Sequence, residues 1–327
     1  MTATTSTQER QGGATAVLPI KSRNQWQDAW SRLIRNKASV VGMVIIGLFI
    51  FVAIFAAALA PQNPLQIHDG KGYLPPVWVE EGVNGKAGEP DFILGTDTIG
   101  RDVLSRLIYG ARVSMFVGLV PVFIILIMGT LIGVISGYWG GQVDNVLMRI
   151  TDVFYAFPGL LFFIILTVTL RETALGKAFN GLLLLFLALA IVSWVGVARL
   201  VRGSVLSVKH REFVEAARSM GAKDGRIMFQ HILPNILSPL VVWVAFAIPG
   251  MIIAEATLGY LGLGLRPASD PNAFFITSWG VLMLEGRGAM TVQPWILLAP
   301  SLCIGLVVLA FTFVGDGLRD ALDPRAR

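Results

Sequence analysis

The sequence predicts an all-α integral membrane protein with six transmembrane helices, and three observations carry that prediction. Of the 327 residues, 54% are hydrophobic and only 14% charged, where soluble domains carry roughly one-quarter charged. The mean hydropathy is +0.69. Six stretches hold no Asp, Glu, Lys, Arg or His for 18 residues or more: 40–60, 113–143, 153–170, 178–198, 232–254 and 288–315. Each can cross a bilayer core of about 30 Å, and six spans of about 20 residues leave room for loops and tails but for no ordinary soluble enzyme domain.

Taken in order, residues 1–25 are rich in Thr, Gln, Gly and Ala without apolar period and read as a disordered cytoplasmic tail. Residues 26–60 hold an amphipathic arm and the first span. Trp26, Trp30, Leu33 and Ile34 fall at helical spacing among Arg32, Arg35 and Lys37, the pattern of a helix lying on lipid headgroups. Residues 61–110 form an external loop broken by Pro75-Pro76, Asn84-Gly85 and Glu89-Pro90. Near its end Ile99, Val103 and Leu107 share one helical row, which predicts a short interfacial helix capped by Asp97 or Thr98. The core, 111–315, holds five further spans. The second carries Gly129, Gly133 and Gly137 at intervals of four, which lets a neighbouring helix come close. Pro158 in the third span, with Pro239 and Pro249 in the fifth, frees carbonyls that need other partners. After the fifth span the run Gly259 to Gly264, then Trp279 and Trp295, is too apolar to be solvated and predicts a segment dipping back against the bundle. Residues 316–327 read as a cytoplasmic tail.

Orientation follows from the basic residues. With the N-terminus inside, 17 of the 26 Lys and Arg fall on the inner face and 9 outside, so both termini are expected in the cytoplasm. Ala58-Leu59-Ala60 resembles a signal-peptide cleavage site, but the 21 uncharged residues before it exceed the 7–15 or so of a signal core. The positive charge flanks apolar spans without forming a basic face with interleaved aromatics, which argues for lipid and against nucleic acid as the anionic neighbour.

Enzymatic readings fail on inventory. The sequence has no H-E-x-x-H and no G-x-S-x-G, its three histidines stand far apart along the chain at 68, 210 and 231, and Cys303 is its only cysteine. Each Gly-Lys pair is followed by Ala or Gly where a phosphate loop needs Ser or Thr. No catalytic residue, metal site or resident cofactor is therefore expected. Glu255 is the exception among spans that otherwise lack ionisable groups, and counting along the fifth span puts it at the outer edge, as an interfacial anchor or a pathway lining.

The most informative segment is the basic cytoplasmic loop within 202–234. Glu215, Ala216 and Ala217 precede Gly221, which can end a helix in a left-handed conformation. A second helix starts near Asp224, with Ile227, Met228 and Ile232 as its apolar side and Pro234 at the junction with the next span. These residues by themselves suit a helix seated in a protein groove or a helix pair resting on headgroups.

Glu215, Ala216, Ala217, Gly221, Leu233 and Pro234 resemble the EAA motif of bacterial ABC importer permeases. Arg226 to Asn235, reading R-I-M-F-Q-H-I-L-P-N, is similar to the variant of the dipeptide, oligopeptide and nickel permeases. Gly95 to Asp102 with Arg106 to Arg112, Gly137 to Gly141 with Asp144, Arg149 and Asp152, the L-G-L-G run at 261–264 and the tail Gly315 to Pro324 resemble the same subfamily. The N-terminal arm and long first outer loop point to the second of its two permease subunits. The segment from Arg266 to Ser278 is longer than that pattern.

The resemblance implies a type I ABC importer permease architecture in a bacterial or archaeal cytoplasmic membrane. It also implies a second permease subunit, two cytosolic ATPases that carry the ATP and magnesium, and an external solute-binding protein. Glu215, Ala216, Ala217, Gly221, Leu233 and Pro234 become the ATPase-coupling residues. Thr167, Thr169, Ser193, Trp194, Trp243 and Glu255 are the pathway candidates, and the solute would be a peptide or a related small solute such as nickel. An ion-coupled secondary transporter and a membrane scaffold are the alternatives.

Overall fold

The computed structural model describes residues 25–268, 270 and 273–323, so the tail expected over 1–25 and the end of the C-terminal tail lie almost wholly outside the described residues. Ten helices organise the fold: α1 (Gln25–Leu33), α2 (Lys37–Ile54), α3 (Val103–Trp139), α4 (Gly141–Ala156), α5 (Gly159–Leu170), α6 (Leu182–Val208), α7 (Glu212–Ser219), α8 (Leu237–Tyr260), α9 (Trp279–Gly288) and α10 (Trp295–Leu322). Among the described residues no β-strand occurs beyond one isolated bridge, Thr96 with Asp102.

The central contact is the seam between α3 and α6. A methyl group added at Gly129 would come within 2.5 Å of Val197 Cβ, one at Gly133 within 2.5 Å of the Ala198 carbonyl and one at Gly137 within 2.8 Å of Val205 Cβ. The glycine row thus lies directly against the valines of α6, as its spacing predicts. Val197, Val201 and Val205 are fully or almost fully buried in this seam. Lipid tails are as apolar as leucine, so close packing of this kind, and not apolar burial, holds membrane helices together.

The short helix expected before the second span is not a separate element: Val103 to Ile108 are helical as the first turns of the second span's own helix, and Ile99 lies before it in a turn. Asp97 Oδ1 accepts the N–H groups of Ile99, at 3.0 Å, and Arg101, at 2.9 Å, and Gly100 turns the chain at φ +88. The side chain that looked like a helix cap closes a turn instead. Helix α3 begins at Val103, where Asp102 accepts from Ser105 N at 2.7 Å, and runs unbroken for 37 residues past Pro121.

The third span also departs from expectation. Phe157 is extended, at φ −79 and ψ 131, because the ring of Pro158 excludes a helical residue before it. The chain bends by 82° between α4 and α5. Val153 to Ala156 therefore belong to α4, and the 12 residues of α5 extend only about 18 Å. Two glycines, Gly140 at φ +67 and Gly141 at φ +52, make the preceding reversal between α3 and α4. Arg202 then grips Asp144 through Nε and Nη2, both at 2.6 Å, and Arg199 Nη2 donates to Asp152 at 2.7 Å, which fastens α4 to α6.

On the other flank, α2 packs along α10 through Gly42, whose added methyl would meet the Ala310 carbonyl at 2.5 Å, and through Ser39 Oγ, which donates to Phe313 O at 3.1 Å. In α1, Leu33 and Ala29 face the protein while Trp26, Trp30 and Ile34 are exposed, so only part of the apolar row is left for lipid. The last helix continues to Leu322, seven residues beyond the expected end of the span.

The segment after α8 does fold back. Helix α9 lies among α3, α8 and α10 with Trp279 fully buried, its indole Nε1 donating to Leu107 O at 3.0 Å. Its seat is ionic at the far end. Arg106 Nη1 donates to Asp97 Oδ2 at 2.6 Å and to Glu285, Arg106 Nη2 reaches Glu285 Oε1 at 3.0 Å, and Arg101 Nε meets Asp97 Oδ2 at 2.7 Å. Arg106 and Asp97 side chains are 4% and 1% exposed, so water does not screen the pair. Breaking such a buried pair from one side costs about 3–5 kcal/mol, whereas the half-exposed Lys71–Glu89 pair belongs to the class worth about 0–1 kcal/mol. Asp97→Asn should therefore lower the thermal unfolding midpoint in detergent far more than Lys71→Gln, and Gly133→Val should lower it through overpacking of about 1–3 kcal/mol. Equal midpoints for all three variants would contradict the packing described.

Candidate functional site

The loop between α6 and α8 is built as an extension of the α3–α6 seam. Val214 and Ala217 of α7 are 0% and 2% exposed, and Ile227, Met228 and Ile232 close over them. The second helix starts at Asp224 as its pattern predicts, then widens into a π-turn over Ile227–Ile232 and tightens into a 3₁₀ turn over Leu233–Ile236 before α8. Gly221 takes φ +80, and Ala222 N donates back to Ala217 O at 3.1 Å, the closure that the left-handed residue permits. Tyr138 Oη donates to Asp224 Oδ1 at 2.6 Å and Lys209 Nζ to Gly137 O at 3.0 Å. The loop is thereby clasped to the end of α3.

This arrangement divides the motif. Ala217 is packed inside the chain and is not available to a groove on another protein. Glu215, Ala216, Gly221 and Pro234 are exposed, and Leu233 is half-buried. Glu215 accepts from Arg218 Nη1 at 3.0 Å and lies 3.9 Å from His210. Beside them stand two residues that the motif reading missed: Met220, 81% exposed, and Phe213, 41% exposed. Their signal in the sequence is two large apolar residues flanking the Glu215–Ala217 run, but helical spacing puts Phe213 in one row with Ala217, so only the packing shows that they stay exposed. A methyl at Gly221 would meet no atom within 4 Å, so glycine there serves the turn and not close packing within the chain.

The pathway candidates do not form one cluster. Trp194 is buried in the seam, edge-on to Phe154 at 5.6 Å. Trp243 and Ser193 are half-buried, and Thr169 is exposed. Glu255 is 0% exposed and neither carboxyl oxygen has a hydrogen-bond partner, so within this chain it faces neither headgroups nor an open pathway. It is enclosed because α9 folds back over the end of α8, where Gly280 lies against the backbone of Glu255 and Ala256. Thr167 is buried, and its hydroxyl borders a small cavity shared with Arg171 and Arg266.

Two larger hollows differ in chemistry. A groove of about 540 Å³ between α3, α8 and α10 is lined by residues such as Leu126, Leu131, Val244, Phe311 and Val314, and suits apolar groups. An open basin of about 520 Å³ at the far ends of α5 and α6 is lined by Arg171, Glu172, Lys177, Asn180, Arg266 and Pro267. Among the described residues no group of three or more His, Cys, Asp or Glu is placed to hold a metal ion.

The chain matches the family described as binding-protein-dependent transport system inner membrane component over residues 129–327, and the N-terminal TM domain of oligopeptide transport permease C over residues 24–76. It is 38% identical to the oligopeptide transport system permease protein OppC of Haemophilus influenzae over 95% of this chain and 92% of the relative. It is likewise 38% identical to the dipeptide permease DppC of the same organism, over 95% and 98% of the two chains. The glutathione permease GsiD of Pectobacterium atrosepticum is 37% identical over 95% and 96%. A chain of the MetNI methionine ABC transporter, solved facing inward, superposes with a TM-score of 0.51 at 17% identity, covering 67% of this chain and 97% of that one, a likeness of fold. The seam, the clasped loop between α6 and α8 and these relatives lead to one conclusion: the chain belongs to the binding-protein-dependent transport permeases, as a multi-pass inner-membrane component of the ABC importer type.

Proposed function

We propose that this chain is the second of two permease subunits in an ATP-driven importer that takes peptides from an external binding protein. The names of the oligopeptide, dipeptide and glutathione permeases support peptides as the solute class. Pairing with a second permease, two cytosolic ATPases and a binding protein comes with the family. The chain has no phosphate loop of its own, so ATP is hydrolysed on the partners.

The observation that carries the coupling role is the two-sided build of α7. On its inner face Val214 belongs to one apolar cluster with the α3–α6 core and Ala217 is buried, while Glu215, Ala216 and Met220 are exposed. A push on the outer face is passed to the spans because close-packed interiors shift between discrete arrangements and do not deform continuously. A headgroup anchor needs no such rigid connection. One feature favours the ion-coupled reading, the buried Glu255 without hydrogen-bond partners, but a single carboxylate enclosed by its own chain offers a coupling ion no route.

Met220→Glu and Glu215→Lys change exposed residues and should leave unfolding midpoints within about 0.5 kcal/mol of wild type. Each should weaken ATPase co-purification about tenfold, the equivalent of 1.4 kcal/mol, and reduce uptake. Wild-type co-purification and uptake in both variants would refute the coupling role. Gly221→Val is a poorer probe, because the left-handed turn itself is strained by about 1–2 kcal/mol. The membrane orientation has its own test: single cysteines introduced as Asn84→Cys and Lys223→Cys, in a Cys303→Ser background, should react with an impermeant thiol reagent from opposite faces. Labelling of both from one side would exclude the orientation set by the basic residues.

A further inference from the structure

The open basin at the ends of α5 and α6 is held in shape by both loops that form it. Phe179 and Asn180 adopt left-handed conformations at φ 50 and 56, followed by Gly181 at φ 92. Two consecutive non-glycine residues in that region are strained and persist only where surrounding contacts fix them. Those contacts are present. Arg266 N donates to Asn180 O at 2.8 Å, and Asn180 Nδ2 donates to Phe275 O at 3.0 Å. Arg266 Nη2 donates to Arg171 O at 2.8 Å and to Glu172, and Arg171 Nη1 reaches Gly262 O at 3.2 Å.

The lining is cationic. Arg171, Lys177 and Arg266 face one carboxylate, Glu172, which the hydrogen bond from Arg266 holds ionised, below the usual carboxylate range. Two positive charges remain in excess. The floor is also short of acceptors. The small cavity beneath shares Arg171 and Arg266 with the basin, and there Arg266 Nε and Thr167 Oγ1 are both buried without a hydrogen-bond partner. Buried donors are nearly always satisfied, but that cavity is only about 10 Å³, room for no more than a water, so it is the excess positive charge of the basin itself that suits an anion. A carboxylate fits a guanidinium in two parallel hydrogen bonds, and about 520 Å³ is the room of a small-ligand pocket.

We propose that this basin is a carboxylate subsite at the outer mouth of the permease and that it takes the C-terminal carboxylate of the incoming peptide. The inference rests on the peptide-importer reading.

The test uses the assembled permease–ATPase complex in nanodiscs, with trialanine and trialanine amide as probes in saturation-transfer NMR. Arg171→Gln and Lys177→Gln serve as variants, Lys177 having a single long contact, 3.7 Å to Glu172. Trialanine should bind in competition with acetate, the amide at least fivefold more weakly, and both variants should remove most of that difference. In proteoliposomes with the binding protein, the variants should raise KM for trialanine at least threefold with kcat and binding-protein affinity unchanged. Equal binding of trialanine and its amide to wild type would overturn the subsite. So would variants that weaken docking of the binding protein while leaving the trialanine-to-amide ratio untouched, since the carboxylate would then belong to that protein. Acetate binding that is lost in Arg171→Gln, in an importer that takes up no peptide, would overturn the peptide assignment separately.

Discussion

The close approach of α3 and α6 is the contact on which the rest of the molecule depends. Three glycines on one helix face three valines on the other, and the backbones meet at distances that no larger side chain allows. In lipid there is little gain from burying leucine against leucine, so van der Waals fit decides which helices pair. Once that pair is fixed, Arg199 and Arg202 are presented at the C-terminal end of α6, where they fasten α4 and its Asp144 and Asp152. The same end of the seam supplies the floor on which Val214, Ile227 and Ile232 pack.

Charge is used sparingly and in layers. At one end the Asp97–Arg106–Glu285 cluster ties the turn before α3 to α9, so the folded-back helix is held by ions at its C-terminal part and by Trp279 at its start. At the other end the Arg–Asp pairs hold the side from which the α6–α8 loop extends. Between the two layers the chain is apolar, and Glu255 is the ionisable side chain that α9 encloses. The fold-back explains that burial: without α9, the end of α8 would leave the carboxylate open to solvent or headgroups.

The loop between α6 and α8 shows how a sequence motif and a surface differ. The left-handed turn at Gly221 and the apolar side of the following segment follow from local chemistry, since glycine at that place and Ile227, Met228 and Ile232 at their spacing admit few other conformations. Which of the two alanines faces outward is not a local matter. Ala216 and Ala217 are chemically identical, and only the packing of α7 on the seam turns Ala217 inward and leaves Ala216 beside Met220. The exposed face is therefore wider and more apolar than the motif letters suggest.

The sequence by itself determined the membrane class, the apolar spans, the glycine seam, the fold-back after α8 and the family. Each of these rests on composition, spacing or residues that act on their immediate neighbours. Only the tertiary structure decided that Asp97 closes a turn where a helix cap was expected, because its second oxygen is claimed by Arg101 and Arg106. It decided likewise that the third span breaks at Pro158, since a charge-free stretch records hydrophobicity and not direction. The basin of Arg171, Lys177 and Arg266 was illegible for a related reason. Its residues come from two loops some 90 positions apart in the chain, and no pattern along the sequence brings such charges together before the helices that carry them have packed.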